Sequence, residues 1–320
     1  MSGGGGEAGH GFVRVLAWLT IAIVGVVTIT QALGWSPTRG VVIVQTLTPY
    51  LGLALLPVTL YSLWRSERVM TTTCLAVGLG LLILATPLAV PPDQAEPDPE
   101  AAGLRVASIN LYFRNDSVDE VARRVHDLEP DVIVFNEYTT RHRATLQSSE
   151  LAGDYPYRID RNGWSDGVAV WSRMPIVVGD DPDTTNDALD VVVDGPDGPV
   201  GLLALHVPTP IRSFEGWNDD LDTAARFARA ATGAAMVVGD LNASYWHPAF
   251  RDLLDAGLTD AHTAVGAGFS TSWPTNRRVP AFVRLDHALL TADLVAVDVQ
   301  DFDAPGSDHR GFVVTVVPAR

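Results

Sequence analysis

Long apolar runs dominate the first 90 residues of the chain and are absent from the remainder. Isolated charges separate the runs: 24 uncharged residues lie between Arg14 and Arg39, 25 between Arg39 and Arg65, and 24 between Arg68 and Asp93. A helix that spans a bilayer needs about 20 predominantly apolar residues, so three such helices are predicted. The predicted spans cover residues 14–34, 41–63 and 69–90 of an anchor comprising residues 1–90. The alternative is a cleaved signal peptide followed by core helices, but the first run is longer than a signal peptide's apolar region.

Arginines in the loops indicate the orientation of this anchor, because cytoplasmic loops carry an excess of cations. Arg14 precedes the first span, and Arg65 and Arg68 lie between the second and third, whereas the other side has only Arg39. The N-terminus is therefore predicted to be cytoplasmic, and three spans place the rest of the chain outside. The proline- and acid-rich segment 91–102 is predicted to be a short linker.

After the linker, short runs rich in Val, Leu and Ile alternate with Gly, Pro, Asp and Asn, which is typical of β-strands. The predicted strands cover residues 104–111, 131–138, 167–173, 189–193, 200–207, 235–239, 285–290, 294–299 and 312–317. Ser117 and Glu120 form a capping box in front of an apolar stripe of helical spacing, which predicts a helix from Ser117. Further helices are predicted at 218–232 and 247–256. Many strands with few helices indicate an α+β domain over residues 103–320, with two sheets packed face to face and flanked by helices.

Charge restricts the partners of this domain. Residues 101–320 hold 18 of the 22 cations and 32 of the 38 acidic residues, a formal charge of −14, and the chain has no lysine. An acidic domain repels phosphate backbones at long range, so stable binding to long duplex DNA is disfavoured unless arginines cluster locally. Cys74 is the one cysteine, which excludes a disulfide framework and a cysteine-based zinc site.

Polar residues follow or interrupt the apolar strands at six strand ends. They are Asn110, Glu137, His206, Asp240 with Asn242, Asp286, and Asp308 with His309. Burying such groups is costly unless they are paired or bind an ion. The six strand ends are therefore expected to converge on one site.

The order of these residues resembles the endonuclease/exonuclease/phosphatase superfamily, whose members are DNase I-like. The segments that carry the resemblance are Asn110, Glu137, His206, Gly239-Asp240-Leu241-Asn242, Asp286 and Ser307-Asp308-His309, and they cover about residues 103–318. The resemblance implies a four-layered α/β sandwich with its site at one end of two packed sheets. It also implies hydrolysis of phosphoesters with Mg²⁺ or Mn²⁺ as the cofactor.

The resemblance further implies a metal centre. Glu137 would be the main ligand, with Asn110 and Asp308 completing or supporting the shell; Mg²⁺ prefers such hard oxygen ligands. The chain departs from some nuclease members at Tyr112, where they carry an acid or amide, so a second metal ligand is not implied. It also has Gly311 where the family commonly has a proline.

The remaining residues are implied to act on the phosphate. His309 would be the general base or the phosphate-polarising group, held in one tautomer by Asp286. Asp240 would orient the water, and Asn242 would donate to a phosphoryl oxygen. His206 would be a second phosphate-contacting group and a general acid.

Each site residue also has an alternative, purely structural role as a turn cap, an ion-pair partner or a core histidine. The predicted site is absent only if these structural roles hold for all of the residues together. The other histidines are predicted to lie mainly at the surface, with His287 facing away from Asp286. They are His10, His126, His142, His247, His262 and His287.

Three interpretations of the function remain open. The first is a hydrolase of lipid-linked or cell-envelope phosphoesters, which is favoured because the layout of three spans and an outer domain is similar to that of actinobacterial teicoplanin-resistance membrane proteins of the VanJ type. The second is an extracellular nuclease, in which loop tryptophans stack on bases. Those tryptophans are Trp164, Trp217, Trp246 and Trp273. The third is an inactive binding module in the envelope, and no obligate protein partner is evident.

Overall fold

A computed structural model describes residues 4–320 of the chain. The described residues form two compact units. The first contains the N-terminal helices up to Thr86 together with Trp246–Pro248, and the second contains Pro87–Tyr245 and Ala249–Arg320.

The first unit is helical throughout. Its helices are α1 (Gly4–Ala32), α2 (Arg39–Thr46), α3 (Thr48–Leu53), α4 (Leu55–Trp64) and α5 (Arg68–Ala89). Within α1, His10–Ala32 is long and apolar enough to cross a membrane, and α5 is as well. Ile21, Leu55 and Cys74 belong to one buried cluster that joins α1, α4 and α5. Many other apolar side chains on these helices are exposed, as expected for surfaces that face lipid.

The middle apolar run is not the continuous helix predicted over 41–63. The segments Arg39–Thr46 and Thr48–Trp64 are bent by 60° at the break between them, so they count as a third span only if the bent pair crosses as one. Pro49 lies at the start of α3. Proline lacks the N–H that would continue α2 and disfavours helical geometry in the residue before it, which explains the break.

The second unit contains two six-stranded sheets. The first sheet has the order β11-β12-β1-β2-β4-β3 and the second β5-β6-β7-β8-β10-β9. The strands are β1 (Leu104–Asn110), β2 (Val132–Asn136), β3 (Tyr157–Arg161), β4 (Val168–Ser172), β5 (Ile176–Val178), β6 (Ala188–Gly195), β7 (Gly198–His206), β8 (Ala235–Asp240), β9 (Thr259–Asp260), β10 (Asp286–Leu290), β11 (Leu294–Asp303) and β12 (Arg310–Pro318).

Helices flank this sandwich. They are α6 (Val118–Leu128), α7 (Thr140–Gln147), α8 (Leu151–Asp154), α9 (Phe214–Ala230), α10 (Pro248–Asp255) and α11 (Ala261–Ala264). The short α11 contributes Ala261 and Ala264 to the core between the sheets. Alternate residues of the strands face opposite ways: Val106 and Val134 pack with Val238 between the sheets, whereas Ile109 and Phe135 belong to the cluster under α6, α7 and α8. The predicted α+β sandwich is confirmed.

All nine predicted strands are present, and the three that were not predicted are edge strands. β3, β5 and β9 each lie at the end of a sheet. They are two to five residues long, and β3 and β5 are half-buried or exposed, so their hydrophobic alternation is weak. The predicted capping box is wrong in detail, because the Ser117 side chain makes no cap bond. Its backbone N–H instead donates to Asn115 Oδ1 at 2.7 Å.

The segment predicted as a linker is hydrogen-bonded to the domain that follows it. The N–H of Ala296 donates to Gln94 Oε1 at 3.0 Å, and the N–H of Asp98 donates to the carbonyl of Pro318 at 3.1 Å. The N–H of Arg320 donates to the carbonyl of Glu96. This segment therefore packs along β11 and β12 of the domain.

Candidate active site

Strand pairing brings the predicted site residues to one edge of the sandwich. Asn110 lies opposite Asn136 in the parallel pair β1–β2, and His206 lies opposite Asp240 in the parallel pair β7–β8. Asp286 begins the antiparallel strand β10 opposite Asp240, which ends β8. Because parallel strands end, and their antiparallel neighbours begin, at the same edge, the polar residues of both sheets meet there.

Asn136 joins the two sheets at this edge. It is fully buried, its Nδ2 donates to the carbonyl of Leu205 at 3.1 Å, and its Oδ1 accepts the N–H of Asp240 at 3.0 Å. Gly239 gives both Leu205 and Asn136 room, since a Cβ there would lie 2.0 Å from the Leu205 carbonyl oxygen of the neighbouring strand and 3.1 Å from Asn136 Oδ1 of the other sheet. The sequence analysis gave Asn136 no role, although its place directly before Glu137 on a buried strand is a usable signal.

Glu137 lies at the centre of the first group of polar atoms. Its Oε2 accepts the backbone N–H of Phe113 at 2.6 Å, and its Oε1 accepts from Asn110 Nδ2 at 3.2 Å. Asn110 Nδ2 also donates to Asp240 Oδ2 at 2.9 Å, while Asn110 Oδ1 accepts the N–H of Tyr112. Asn110 therefore bridges the carboxylates of Glu137 and Asp240 through its amide nitrogen, while its amide oxygen accepts a backbone N–H.

His309 lies at the centre of the second group. Its Nδ1 lies 2.8 Å from Asp286 Oδ2, and its Nε2 lies 3.7 Å from Asp240 Oδ2 and 4.0 Å from Asp308 Oδ1. His206 Nε2 is 3.9 Å from the same Asp240 oxygen. The structure thus brings Glu137, Asn110 and Asp308 together with the residues predicted to act on phosphate.

Asn242 lies beside this group and is nearly buried. Its backbone N–H donates to Asp240 Oδ1 at 2.9 Å, and its Nδ2 donates to the carbonyl of Val207 at 2.8 Å. These contacts leave one amide N–H of the Asn242 side chain for a ligand.

The local charges hold the two histidines in different protonation states. Burial would lower the pKa of His309, but the carboxylates of Asp286 and Asp240 outweigh it and raise that pKa to about 10. Burial and the charge on His309 lower the pKa of His206 to about 4. Burial also raises the pKa of the Asp240 carboxyl, against the opposing effect of His309. At neutral pH the site therefore holds an imidazolium beside a neutral imidazole.

The surroundings of Glu137 and Asp308 fit a divalent cation. Burial raises the pKa of Glu137, and the negative charge of Asp308 raises it further, whereas the hydrogen bond from the Phe113 N–H lowers it. Asp308 Oδ2 accepts from Trp273 Nε1 at 3.3 Å, whereas its buried Oδ1 has no hydrogen-bond partner among the described residues. Two nearby carboxylates with an unsatisfied oxygen form the hard-ligand set that Mg²⁺ or Mn²⁺ prefers.

A second group in the site could also hold a metal ion. Asp240, Asp286 and His309 place one ligand atom each within 4.8 Å of one another. Within this group, His309 Nδ1 and Asp286 Oδ2 already pair with each other at 2.8 Å.

Several supporting contacts could not be foreseen from the sequence. Ser307 Oγ donates to the Asn110 carbonyl at 2.7 Å and accepts the N–H of His309 at 3.0 Å. The buried Arg284 donates to the Asp286 carbonyl at 3.3 Å and to Asp301 Oδ2 at 2.6 Å. The Ser-Asp-His and Arg-Leu-Asp spacings hint at the two local contacts, but the bonds from Ser307 to Asn110 and from Arg284 to Asp301 span 197 and 17 positions.

The surface assignment is wrong for several of the remaining histidines. His142, His262 and His287 are buried. His287 does face away from Asp286, as predicted, and its Nδ1 lies 2.9 Å from Asp260 Oδ1. Amide and carboxylate partners compensate the burial of these rings, which hydropathy alone does not reveal.

The prediction that the tryptophans lie in loops is wrong for Trp217. Trp217 lies in α9 and is fully buried, with its Nε1 donating to the Asn242 carbonyl at 3.0 Å. Trp273 contacts Asp308 as described above. Trp164 is 76% exposed and is free to contact a ligand.

Comparison with known proteins agrees with this geometry. The Endonuclease/Exonuclease/phosphatase family matches residues 107–309. No curated protein matches the chain. Humanized TDP2 of D. rerio superimposes with a TM-score of 0.56 at 17% identity, covering 67% of this chain and 98% of that one. An AP endonuclease from Archaeoglobus fulgidus gives 0.54 at 17% identity, covering 66% and 98%.

A further neighbour is an endonuclease/exonuclease/phosphatase from Beutenbergia cavernae, with a TM-score of 0.52 at 21% identity, covering 68% of this chain and 72% of that one. At these identities the neighbours establish the fold alone. The family match, with the converging strand-end residues, defines the class: the chain belongs to the Endonuclease/Exonuclease/phosphatase family. Enzymes of this family are divalent-metal-dependent and typically hydrolyse phosphoesters.

Proposed function

We propose that this chain is a phosphoester hydrolase that uses Mg²⁺ or Mn²⁺ and the strand-end cluster as its active site. The observation that carries the proposal is the closeness of two unlike charge arrangements. One is the carboxylate pair of Glu137 and Asp308, in which Asp308 Oδ1 has no hydrogen-bond partner among the described residues, and the other is the His309 imidazolium between Asp286 and Asp240. Hydrolysis of a phosphoester needs both charge neutralisation at the phosphoryl oxygens and a group that accepts a proton from water.

Glu137 and Asp308 would hold the metal ion, and Asn110 would position Glu137. The bound ion would neutralise phosphoryl charge and stabilise the leaving oxygen. His309, protonated at neutral pH, would donate from Nε2 to a phosphoryl oxygen, while Asp286 fixes its ring through Nδ1.

Asp240 would accept the proton of the attacking water, since its carboxylate lies next to both histidines and is fixed by Asn110. The remaining amide N–H of Asn242 and the neutral ring of His206 would contact the other phosphoryl oxygens. With its pKa near 4, His206 serves better as a hydrogen-bond donor than as the general acid implied by resemblance.

The test is hydrolysis by the purified full chain in detergent, followed as phosphate release from phosphomonoesters and as release of the alcohol from phosphodiesters. Glu137→Gln and Asp240→Asn should each lower kcat by about 100-fold or more, as for loss of a metal ligand or a general base. Chelation with EDTA should abolish turnover, and Mg²⁺ or Mn²⁺ should restore it. Glu150→Gln, at an exposed position, is the matched control and should keep wild-type activity. Undiminished turnover in Glu137→Gln, or no turnover of any phosphoester with either metal, would contradict the proposal.

We further propose that the domain faces outward from a cell membrane and acts on lipid-linked or cell-envelope phosphoesters. The apolar helices of the first unit, the acidic lysine-free domain and the docked segment 91–102 support this assignment. The similar layout of teicoplanin-resistance membrane proteins adds a role in glycopeptide resistance. Cells that express the wild-type chain should then tolerate more teicoplanin than cells that express Glu137→Gln, and equal sensitivity would remove that role.

An extracellular nuclease is the second candidate, because the exposed Trp164 ring beside the site offers a stacking surface. Parallel assays with plasmid DNA, RNA and phospholipid micelles distinguish a nuclease from a hydrolase of lipid-linked phosphoesters. Binding without turnover of any of them would instead identify an inactive module.

A further inference from the structure

A solvent-open pocket of about 590 Å³ adjoins the active site on the side of Glu137. Its lining includes Phe113, Arg114, Thr139, Arg141 and Trp164. The Phe113 N–H that helps to form it donates to Glu137 Oε2 at 2.6 Å, and Thr139 follows Glu137 by two residues. The pocket therefore begins at the proposed metal-binding carboxylate, and its size suits a small organic group.

Arginines surround this pocket within an otherwise acidic domain. Arg114 lies over the Phe113 ring, 5.0 Å from its centroid, and forms no ion pair among the described residues. Arg141 is held in place by Asp116 at 2.5 Å and by the Asn115 carbonyl at 2.7 Å. These contacts fix two guanidinium groups at the pocket, only one of which is neutralised by a carboxylate.

Arg212 adds a guanidinium outside the lining of the pocket. It lies six residues after His206, and its Nη1 is 3.4 Å from Ser165 Oγ, next to Trp164. Asp166 and Asp187 are the acids of this region, and Asp166 Oδ1 accepts the N–H of Trp164 at 3.0 Å. Within the lining itself, Arg114 and Arg141 face one carboxylate, that of Asp116, which leaves one positive charge in a domain that as a whole repels anions.

The pocket also presents flat apolar surface. The Trp164 ring is 76% exposed, and its centroid lies 6.2 Å from that of Phe113 at an interplanar angle of 44°. Aromatic rings pack against planar or aliphatic groups of a ligand. Such packing does not depend on the base of a nucleotide or on the head group of a lipid.

We propose that this pocket is a subsite for the group esterified to the scissile phosphate, and that it selects substrates in which that group carries a second phosphate. Arg114 and Arg212 bind the second phosphate, and Phe113 and Trp164 cover the part of the substrate between the two phosphates. The subsite rests on the proposed function and narrows its substrate class. Nucleotides and phospholipids can both supply this chemistry.

Matched substrate pairs test the preference in the purified full chain with Mg²⁺. Thymidine 5′-(4-nitrophenyl phosphate) is compared with the same compound bearing a 3′-phosphate, and phosphatidylglycerol micelles with phosphatidylglycerol phosphate micelles. In at least one pair, kcat/KM should be about 10-fold higher for the doubly phosphorylated member, the expected size of one charge-assisted hydrogen bond. The pair that shows the preference identifies the source as nucleotide or lipid.

Arg114→Gln and Arg212→Gln should each remove most of that preference through KM, with kcat for the singly phosphorylated substrate changed less than about twofold. Arg229→Gln is the matched control, because Arg229 is an exposed arginine in the last turn of α9. Thermal unfolding of each variant confirms that the fold is intact.

Binding provides a measurement that does not depend on turnover. Glu137→Gln protein in EDTA should bind thymidine 3′,5′-bisphosphate or phosphatidylglycerol phosphate about 10-fold more tightly than the singly phosphorylated partner, and adding Arg114→Gln should abolish the difference. Binding with this preference but no hydrolysis in the wild type overturns the hydrolase proposal and keeps the subsite. Hydrolysis without any preference, and without an effect of Arg114→Gln, overturns the subsite and keeps the hydrolase.

Discussion

Three residues at the strand ends hold backbone conformations that ordinarily favour glycine. Tyr112, Glu137 and Asn242 have φ values of 58°, 53° and 45°. Asparagine tolerates this region, but for tyrosine and glutamate it costs on the order of 1 kcal/mol or more. Strain of this kind persists where the surrounding structure compensates for it, and it clusters at functional sites. The backbone thus marks the same edge of the sandwich as the side chains do.

Gly239 is predicted to be essential for the pairing of β8 with β7. Alanine there would place a Cβ 2.0 Å from the Leu205 carbonyl oxygen of the neighbouring strand at a φ of +146°. Gly239→Ala should therefore destabilise the second unit by about 3 kcal/mol or more, since it combines a steric clash with backbone strain. Gly233→Ala is the control, because a Cβ there meets nothing within 4 Å. Thermal unfolding of the full chain in detergent measures both, and equal midpoints would contradict the assignment.

Asp286 is predicted to act through His309 rather than on substrate. Asp286→Asn keeps the size of the side chain but removes the charge that holds the imidazolium 2.8 Å away. We expect kcat to fall about 10- to 100-fold with KM little changed, as for other residues that orient a catalytic group. Steady-state kinetics of Asp286→Asn beside the exposed control Asp298→Asn test this. A change in KM alone would show that Asp286 binds substrate instead.

At the scale of elements, Asp260 joins β9, α11 and β10. It caps α11 by accepting the N–H and hydroxyl of Thr263 at 2.9 and 2.8 Å, and its other oxygen lies 2.9 Å from His287 Nδ1. Burial would raise the pKa of Asp260, but hydrogen bonding and the charge of His287 outweigh it and hold that pKa below its usual value. The folded state therefore favours the carboxylate.

The sign of this shift predicts how stability depends on pH. The contribution of Asp260 is present above the usual aspartate pKa of about 4 and is lost as the pH falls below it. Asp260→Asn should cost about 1–3 kcal/mol at neutral pH and should flatten the loss of stability below about pH 4. Unfolding midpoints of the full chain between about pH 3 and 7 test this. An Asp260→Asn protein as acid-sensitive as the wild type would contradict it.

At the scale of the whole molecule, the orientation of the domain depends on whether the bent pair α2 with α3–α4 crosses the membrane. Three crossings from a cytoplasmic N-terminus place the domain outside, whereas two place it inside. Single cysteines at Ser148, exposed in the domain, and at Ser66, exposed before α5, distinguish these arrangements in a Cys74→Ser background.

We expect a membrane-impermeant maleimide to label Ser148→Cys in intact cells and Ser66→Cys only after lysis. Two crossings would give the reverse pattern. Labelling after lysis controls for access to each cysteine.

The sequence indicated which polar residues would lie at strand ends, and the structure brings them to one edge of the sandwich. Asn110, Glu137, His206, Asp240 and Asp286 each interrupt or end an apolar strand, and polar groups there are costly without partners. The bend in the middle apolar run was not predicted, because hydropathy counts apolar residues and does not register the break that Pro49 makes in a helix. Ser307 also bonds to the Asn110 carbonyl, 197 positions away, and Arg284 to Asp301, 17 positions away, and no local pattern could indicate these partners.

Local chemistry alone determined the order of the elements, the division into apolar and acidic parts and the identity of the polar residues at strand ends. Hydrophobic periodicity and the cost of burying polar groups act within a few residues, so they can be read directly from the chain. The tertiary structure decided which of those residues meet, the protonation of His309 against His206, and the arginine-lined pocket beside Glu137. These properties depend on distances of a few ångströms between residues that lie 23 to 130 positions apart, and only the packing of the fold sets such distances.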